Sequence, residues 1–280
     1  MIELNGTTLA EELYVNLRKR IASLNKTPNL VVVLVGEDAA SKIYVKNKQK
    51  KAIELGINCE VKTLPNNVTQ KELQNLIKIL NNNSNVHGIL VQLPLPPHLD
   101  YTLLIENIAL EKDVDGLNSI NLGRTIIKGS LKPTHISATA KACMYMLKSL
   151  DIDLTSKHVT IVNDSNLVGL PLSGMLLKEG CTVTICNKHT HNLIQHTNVA
   201  DILVSGTGVA HLIGKQMVKE GAIVLDVGIT KLNNKTVGDV DYEEVKNKVY
   251  AISPVPGGIG PLTIAMLLEN VEEAAKIQNG

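Results

Sequence analysis

Apolar residues along this chain fall into two alternating kinds of run. Glu11 to Ser23 spaces them at helical intervals between charges, the pattern of an amphipathic helix. Leu30 to Val35 is instead a continuous apolar run closed by Gly36, as in a strand buried on both faces. The alternation continues with a helix over Lys42 to Leu55 stopped by Gly56, a strand over Asn58 to Lys62, a helix over Thr69 to Leu80 and a strand over His87 to Leu93. Repeated αβ units predict a mostly parallel sheet.

A loop-rich stretch, Pro94 to Pro133, then precedes a helix over Ala138 to Leu150 and a second αβ series. Its strands are expected at His158 to Val162, Thr182 to Cys186, Asp201 to Val204 and Ala222 to Val227. The helices between them suit right-handed crossovers, hence a Rossmann-type sheet. Pro261 to Ile277 reads as one long helix without further strands, suited to packing back on the first domain. The expected fold class is α/β with two αβ domains, residues 1–135 completed by 261–280, and residues 136–260; a chain of 280 residues accommodates both.

Composition narrows the partners. Lys plus Arg total 28 against 27 Asp plus Glu, a net charge of +1, which gives no field suited to nucleic acid or an acidic membrane. No run approaches the roughly 20 uncharged apolar residues of a membrane span, and Met1 to Leu17 is acidic and amphipathic rather than signal-like, so a cytoplasmic protein is expected. Cys59, Cys143, Cys181 and Cys186 form no CxxC pair and have no histidine at ligand spacing, so they read as buried reduced thiols, with no metal site. Phe and Trp are absent, which leaves Ile, Leu, Val and Met to build the core.

Several positions could carry chemistry. Tyr44 and Lys48 stand four apart on an expected helix, so both leave from one face. Alone, the pair also fits a lysine snorkelling beside a half-buried tyrosine. The short-chain dehydrogenases share YxxxK, but there it follows the glycine-rich nucleotide loop, whereas here it precedes the second series. HGILVQLPLPP delivers Gln92 near the carboxyl end of a strand, where open α/β sheets bind ligands; LPLPP alone equally fits a rigid polyproline turn. Asp113-Val-Asp115-Gly116 puts a carboxylate on a turn, able to pair with an amidine-like edge or simply to be solvated. PVPGGIGP packs three glycines and three prolines into Pro254 to Pro261, so stiff backbone must approach something closely.

Taken together and in order, GEDAASKIYVKNK, GILVQLPLP, KDVDGL and PVPGGIGPLT resemble the bifunctional methylenetetrahydrofolate dehydrogenase/methenyltetrahydrofolate cyclohydrolase (FolD) family, from near residue 1 to the C-terminus. The resemblance implies oxidation of 5,10-methylenetetrahydrofolate by a nicotinamide dinucleotide and hydrolysis of the 5,10-methenyl product to 10-formyltetrahydrofolate. It implies Lys48 as general acid/base, Tyr44 beside it, Gln92 bonded to Lys48, and Asp115 on the pterin. Val91, Gln92 and Leu93, with Pro256, Gly257, Gly258, Ile259 and Gly260, would line the folate pocket. A lysine serving as base near neutral pH needs a depressed pKa, which burial would supply.

For the cofactor the resemblance implies NADP on the second domain, phosphates near a helix N-terminus, with Asn163, Asp164, Ser165, Lys188, His189, Thr190 and Ile229 in contact. Two departures stand out. Where family members read Gly-Arg-Ser, this chain has Asn163-Asp164-Ser165, which puts an anion where a cation meets the 2′-phosphate; the repulsion is on the order of 1 kcal/mol or more, so NAD is the alternative. Yet the end of the next strand, Asn187-Lys188-His189, lacks the acid that usually holds an NAD ribose. Pro133 to Ala138 also differs from the family's Pro-Cys-Thr-Pro. A homodimer is implied, joined through the nucleotide domains. The alternatives are a cyclohydrolase-only or folate-binding protein with a degraded nucleotide site, and a generic Rossmann oxidoreductase.

Overall fold

The computed structural model describes residues 1–129 and 131–279; of Ala40 only the backbone is described. In chain order the elements begin with strand β1 (Ile2–Glu3), helix α1 (Gly6–Ala22), β2 (Asn29–Val35), α2 (Ala39–Glu54), β3 (Asn58–Leu64), α3 (Gln70–Asn82) and β4 (Gly88–Val91). Next come α4 (Tyr101–Glu106), α5 (Ser119–Ile126), α6 (Ala138–Lys148), β5 (His158–Val162), α7 (Gly169–Lys178), β6 (Thr182–Cys186), α8 (Leu193–Thr197), β7 (Ile202–Ser205) and β8 (Ile223–Asp226). A hairpin of β9 (Thr230–Leu232) and β10 (Lys235–Val237), then α9 (Tyr242–Val245), β11 (Ala251–Ile252) and α10 (Ile259–Asn279) complete the described chain. No helix among the described residues is long and apolar enough to cross a membrane.

The chain divides into two compact units. One comprises Glu12–Gly123, Pro133–Ala138 and Leu267–Gly280; the other Met1–Glu11, Arg124–Lys132 and Thr139–Met266. Helices α1 and α10 are therefore each shared between units.

The first unit is built on a parallel sheet ordered β3-β2-β4. Central β2 has Leu30, Val31, Val32 and Val33 fully buried, which is why its sequence is continuously apolar. Helix α2 starts where the Asp38 carboxylate accepts the Ser41 N–H (2.7 Å). Helix α3 begins with a capping box between Thr69 and Glu72 and buries Leu73, Ile77 and Leu80. The stretch read as loop, Pro94 to Pro133, contains α4 and α5; six and eight residues are too few to show a helical period, and α4 depends on the Asp100 cap on Leu103. The C-terminal helix does pack back on this unit: Asn270 Nδ2 donates to Val114 O and Ile136 O, both at 2.9 Å, and Gln278 Nε2 to His87 O and Glu111 O.

The second unit carries a six-stranded, all-parallel sheet ordered β1-β11-β8-β7-β5-β6. β5 and β6 fall where the sequence placed them. The flanks differ from expectation: β1, β11 and the β9–β10 hairpin had no place in it, and α10 begins at Ile259 rather than Pro261. The apolar cluster on one side joins Val162, Leu203, Val224 and Ile252 to Ile213, Val218 and Val245. Cys143, Cys181 and Cys186 are buried free thiols as expected; Cys59 is only half-buried.

Candidate active site

In the first unit the chemistry gathers at the carboxyl end of the sheet. Gln92 follows β4 directly and its N–H continues the ladder to Val33 O (2.9 Å). Its side chain is fixed at both ends, Oε1 accepting from Lys48 Nζ (3.0 Å) and Nε2 donating to Leu93 O (2.6 Å). Lys48 reaches it from α2, and Tyr44, one turn earlier, is 40 % exposed. Burial lowers the Lys48 pKa, opposed chiefly by the Asp115 carboxylate; the direction is the one expected of a lysine that must shed its proton.

The KDVDG segment divides its work. Lys112 is buried and donates to Leu80 O, Asn81 O and Asn83 O (3.1, 2.7 and 2.8 Å), which satisfies the carbonyls at the end of α3 and anchors the segment. Asp113, fully buried, accepts from Leu117 N, Asn118 N and Asn121 Nδ2 (3.2, 2.8 and 2.8 Å) and so shapes the turn. Its carboxyl is pushed up to about 7 by burial, against those hydrogen bonds. Gly116 has φ +70°, and a Cβ there would lie 2.4 Å from Ile136 C, so no other residue fits. What remains is Asp115, half-buried and accepting no hydrogen bond from the described residues, its carboxyl raised by desolvation and held back by Lys48.

Tyr101 had no signal in the sequence. Its hydroxyl is buried without a hydrogen-bond partner among the described residues. Desolvation, then the Asp115 and Asp113 carboxylates, raise its pKa, so the phenol stays protonated.

In the second unit the strand order reverses at β5, flanked by β6 and β7, and the loops after β5 and β7 form the switch point where such sheets receive ligands. Asn163 ties them: Nδ2 donates to Gly206 O (2.5 Å), while Oδ1 accepts from Ser165 N, Ser165 Oγ and Gly169 N. The first two N–H groups of α7 go to Asn163 Oδ1 and Ser165 O, and Pro171 has none, so α7 offers an anion its dipole rather than free donors. Asp164, Lys188 and His189 are exposed at this edge, with Thr190 half-buried. Ile229, 47 % exposed, follows β8.

Two buried carboxylates absent from the sequence expectations hold the neighbouring loops. Asp239 accepts from Ser205 Oγ, Thr207 Oγ1 and Gly208 N (2.8, 2.9 and 3.0 Å), and Asp226 from Gly228 N, Asp239 N and Val240 N (2.9, 3.1 and 2.8 Å). Such a rim of fixed backbone and exposed polar groups fits a dinucleotide.

PVPGGIGP lies in this unit as far as Pro261. The close approach its glycines foretell is to the start of α1: Thr7 N donates to Gly257 O (3.1 Å), and a Cβ on Gly6 would lie 1.7 Å from Gly258 O. At its other end, Ile229 Cδ1 is 3.9 Å from where a Gly260 Cβ would stand.

Comparison with known proteins matches both units. Residues 4–115 match the catalytic domain of tetrahydrofolate dehydrogenase/cyclohydrolase, and residues 137–279 its NAD(P)-binding domain. The chain is 47 % identical over 277 residues to the bifunctional protein FolD of Nitrosospira multiformis, covering 98 % of this chain and 95 % of the relative. The crystal structure of the bifunctional FolD of Campylobacter jejuni is 43 % identical, with a TM-score of 0.94 and 99 % of each chain covered. That of Trypanosoma brucei, complexed with NADP and inhibitor, is 32 % identical with a TM-score of 0.94, covering 99 % of this chain and 98 % of the other. The chain belongs to the tetrahydrofolate dehydrogenase/cyclohydrolase family.

Proposed function

We propose that this chain oxidises 5,10-methylenetetrahydrofolate with a nicotinamide dinucleotide, NADP or NAD, and hydrolyses the resulting 5,10-methenyl cation to 10-formyltetrahydrofolate. The observation that carries the reading is the half-buried Lys48, bonded to Gln92 and electrostatically coupled to Asp115, in a member of this family. Folate binds through the first unit and the dinucleotide through the second, the folate domain being residues 1–135 with 261–280 and the dinucleotide domain residues 136–260.

Lys48 is the acid/base of the hydrolysis. Its neutral amine takes a proton from water as the C–O bond forms at the methenyl carbon. The ammonium returns a proton to N5 as the C–N5 bond breaks, and the hydroxyl proton leaves to solvent as the formyl C=O forms. Gln92 Oε1 orients Nζ through both states. Asp115, with no hydrogen-bond donor among the described residues, accepts from the pterin edge, and Tyr44 flanks the ring. Val91, Gln92 and Leu93 line the folate site in the first unit. The bound dinucleotide supplies the hydride acceptor; Asn163, Asp164, Ser165, Lys188, His189, Thr190 and Ile229 hold it.

The protein is cytoplasmic, in keeping with four unpaired thiols, and a homodimer. Support for the dimer is edge strand β6, where Ile185 is 39 % exposed in a sheet otherwise strongly apolar.

The test follows methenyl formation and decay when 5,10-methylenetetrahydrofolate is mixed with NADP or NAD. Formation followed by decay supports both activities. Decay of added methenyl substrate without oxidation leaves a cyclohydrolase only. Silence throughout overturns the reading.

A further inference from the structure

Dinucleotide-binding sheets read the adenosine ribose with an acid at the end of the strand beside the first one. Here that strand is β6, and the residues after it, Asn187, Lys188 and His189, include no acid. The fold supplies one from the adjacent loop. Asn187 Nδ2 donates to Asp164 Oδ2 at 3.0 Å, which stations the carboxylate at the end of β6 although Asp164 follows β5.

The station is rigid on both sides. Asn187 Oδ1 accepts the His189 N–H (3.0 Å), which fixes the amide so that Nδ2 faces Asp164. The turn itself closes through Thr190 N to Asn187 O (3.0 Å) and Asn187 N to Thr190 Oγ1 (2.9 Å). On the other side Asp164 lies between Asn163 and Ser165, which are bonded to each other and to Gly169 and Gly206. No lysine or arginine among the described residues pairs with Asp164, which is exposed.

We infer that Asp164 is the specificity-determining residue of the nucleotide site and selects the dinucleotide with a free ribose 2′-hydroxyl, NAD, over its 2′-phosphorylated form. A pinned carboxylate accepts the hydroxyl in a charge-assisted hydrogen bond and repels a phosphate dianion. Lys188, which would favour the phosphate, is exposed and makes no hydrogen bond or ion pair among the described residues, so ordering it costs side-chain entropy that Asp164 has already lost. This inference rests on the reading of the second unit as a nicotinamide-dinucleotide site.

The experiment is calorimetric titration of the folate-free protein with NAD and with NADP, beside the kcat/KM ratio for the two. NAD should bind on the order of tenfold more tightly or better, the worth of one charge-assisted hydrogen bond. Asp164→Asn should collapse that ratio towards unity and Asp164→Arg invert it; Asn187→Ala, which frees the carboxylate, should erode it. NADP binding as tightly as NAD to the unaltered protein, or a ratio unmoved by Asp164→Asn, overturns the inference while leaving the site intact. Binding of neither nucleotide, with methenyl hydrolysis preserved, overturns the reading of the unit and the inference with it.

Discussion

Replacing Tyr101 by phenylalanine should make the ligand-free protein more stable and the enzyme worse. The hydroxyl is buried without a partner among the described residues and faces the field of Asp113 and Asp115. An unsatisfied buried hydroxyl costs roughly 1–3 kcal/mol, and phenylalanine keeps the ring while removing that cost, so a gain of about 1 kcal/mol is expected. For a chain of this size that is roughly 2–4 °C in Tm. The protonated phenol is a donor beside Asp115, the carboxylate assigned to the pterin, so its partner arrives with substrate. The folate KM should therefore rise several-fold while the fold tightens. Thermal melts without ligand, and KM for the methenyl substrate, read the two effects separately. A fall in Tm with unchanged KM would refute the reasoning, because it would mean that the hydroxyl already serves the folded chain.

Lys48→Ala should cost about 10²–10⁴-fold in methenyl hydrolysis while folate binding, followed by fluorescence, persists. Because the neutral amine is the base, hydrolysis should rise with pH on a limb below the 10.5 of an ordinary lysine; Asp115→Asn removes the charge that favours the ammonium, so the limb in kcat should move lower still. Gly116→Ala forces a Cβ within 2.4 Å of Ile136 C at positive φ; both activities should fall with a stability loss of about 1–3 kcal/mol or more, measurable by urea denaturation. Burial raises the Asp226 carboxyl from 3.8 to about 6, so the folded chain holds that proton more tightly than the unfolded one. Stability from this group is therefore present below pH 4 and lost as pH climbs through 6; melting curves of Asp226→Asn should lack that decline, and parallel curves would sink the claim.

Where the sequence spoke clearly, one physical demand governed several successive residues. Strands β2 and β5 are buried on both faces, so Leu30 to Val35 is continuously apolar and β5 is apolar but for His158, its half-buried first residue, and Thr160, whose hydroxyl donates to His196 O. The β9–β10 hairpin escaped because its strands are three residues long and solvated; its Asn233-Asn234 turn, both at positive φ, was the available signal. Lys48, Gln92 and Asp115 were legible through their motifs, and Lys48 and Gln92 do meet. Asp226 and Asp239 were not, because most of their donors lie far away in sequence and leave no local pattern, and Tyr101 was not, because its hydroxyl has no partner among the described residues to announce it. The Asp164–Asn187 contact is of that kind too, spanning the end of one strand and the end of the next.

Helix α10 bears on how the protein is made. Its last turns, from Leu267 onward, belong to the unit that otherwise ends at Ala138, and Asn270 clamps Val114 and Ile136 on either side of the Asp115 turn. A ribosome delivers that clamp 156 residues after Val114. The lysine-bearing half of the molecule, although translated first, must therefore wait for the intervening segment Thr139–Met266 to emerge before its turn can set, so vectorial, N-terminus-first maturation is closed to it. A nascent chain released just before Asn270 would carry every assigned catalytic side chain and still lack the strut that holds Asp115 in place.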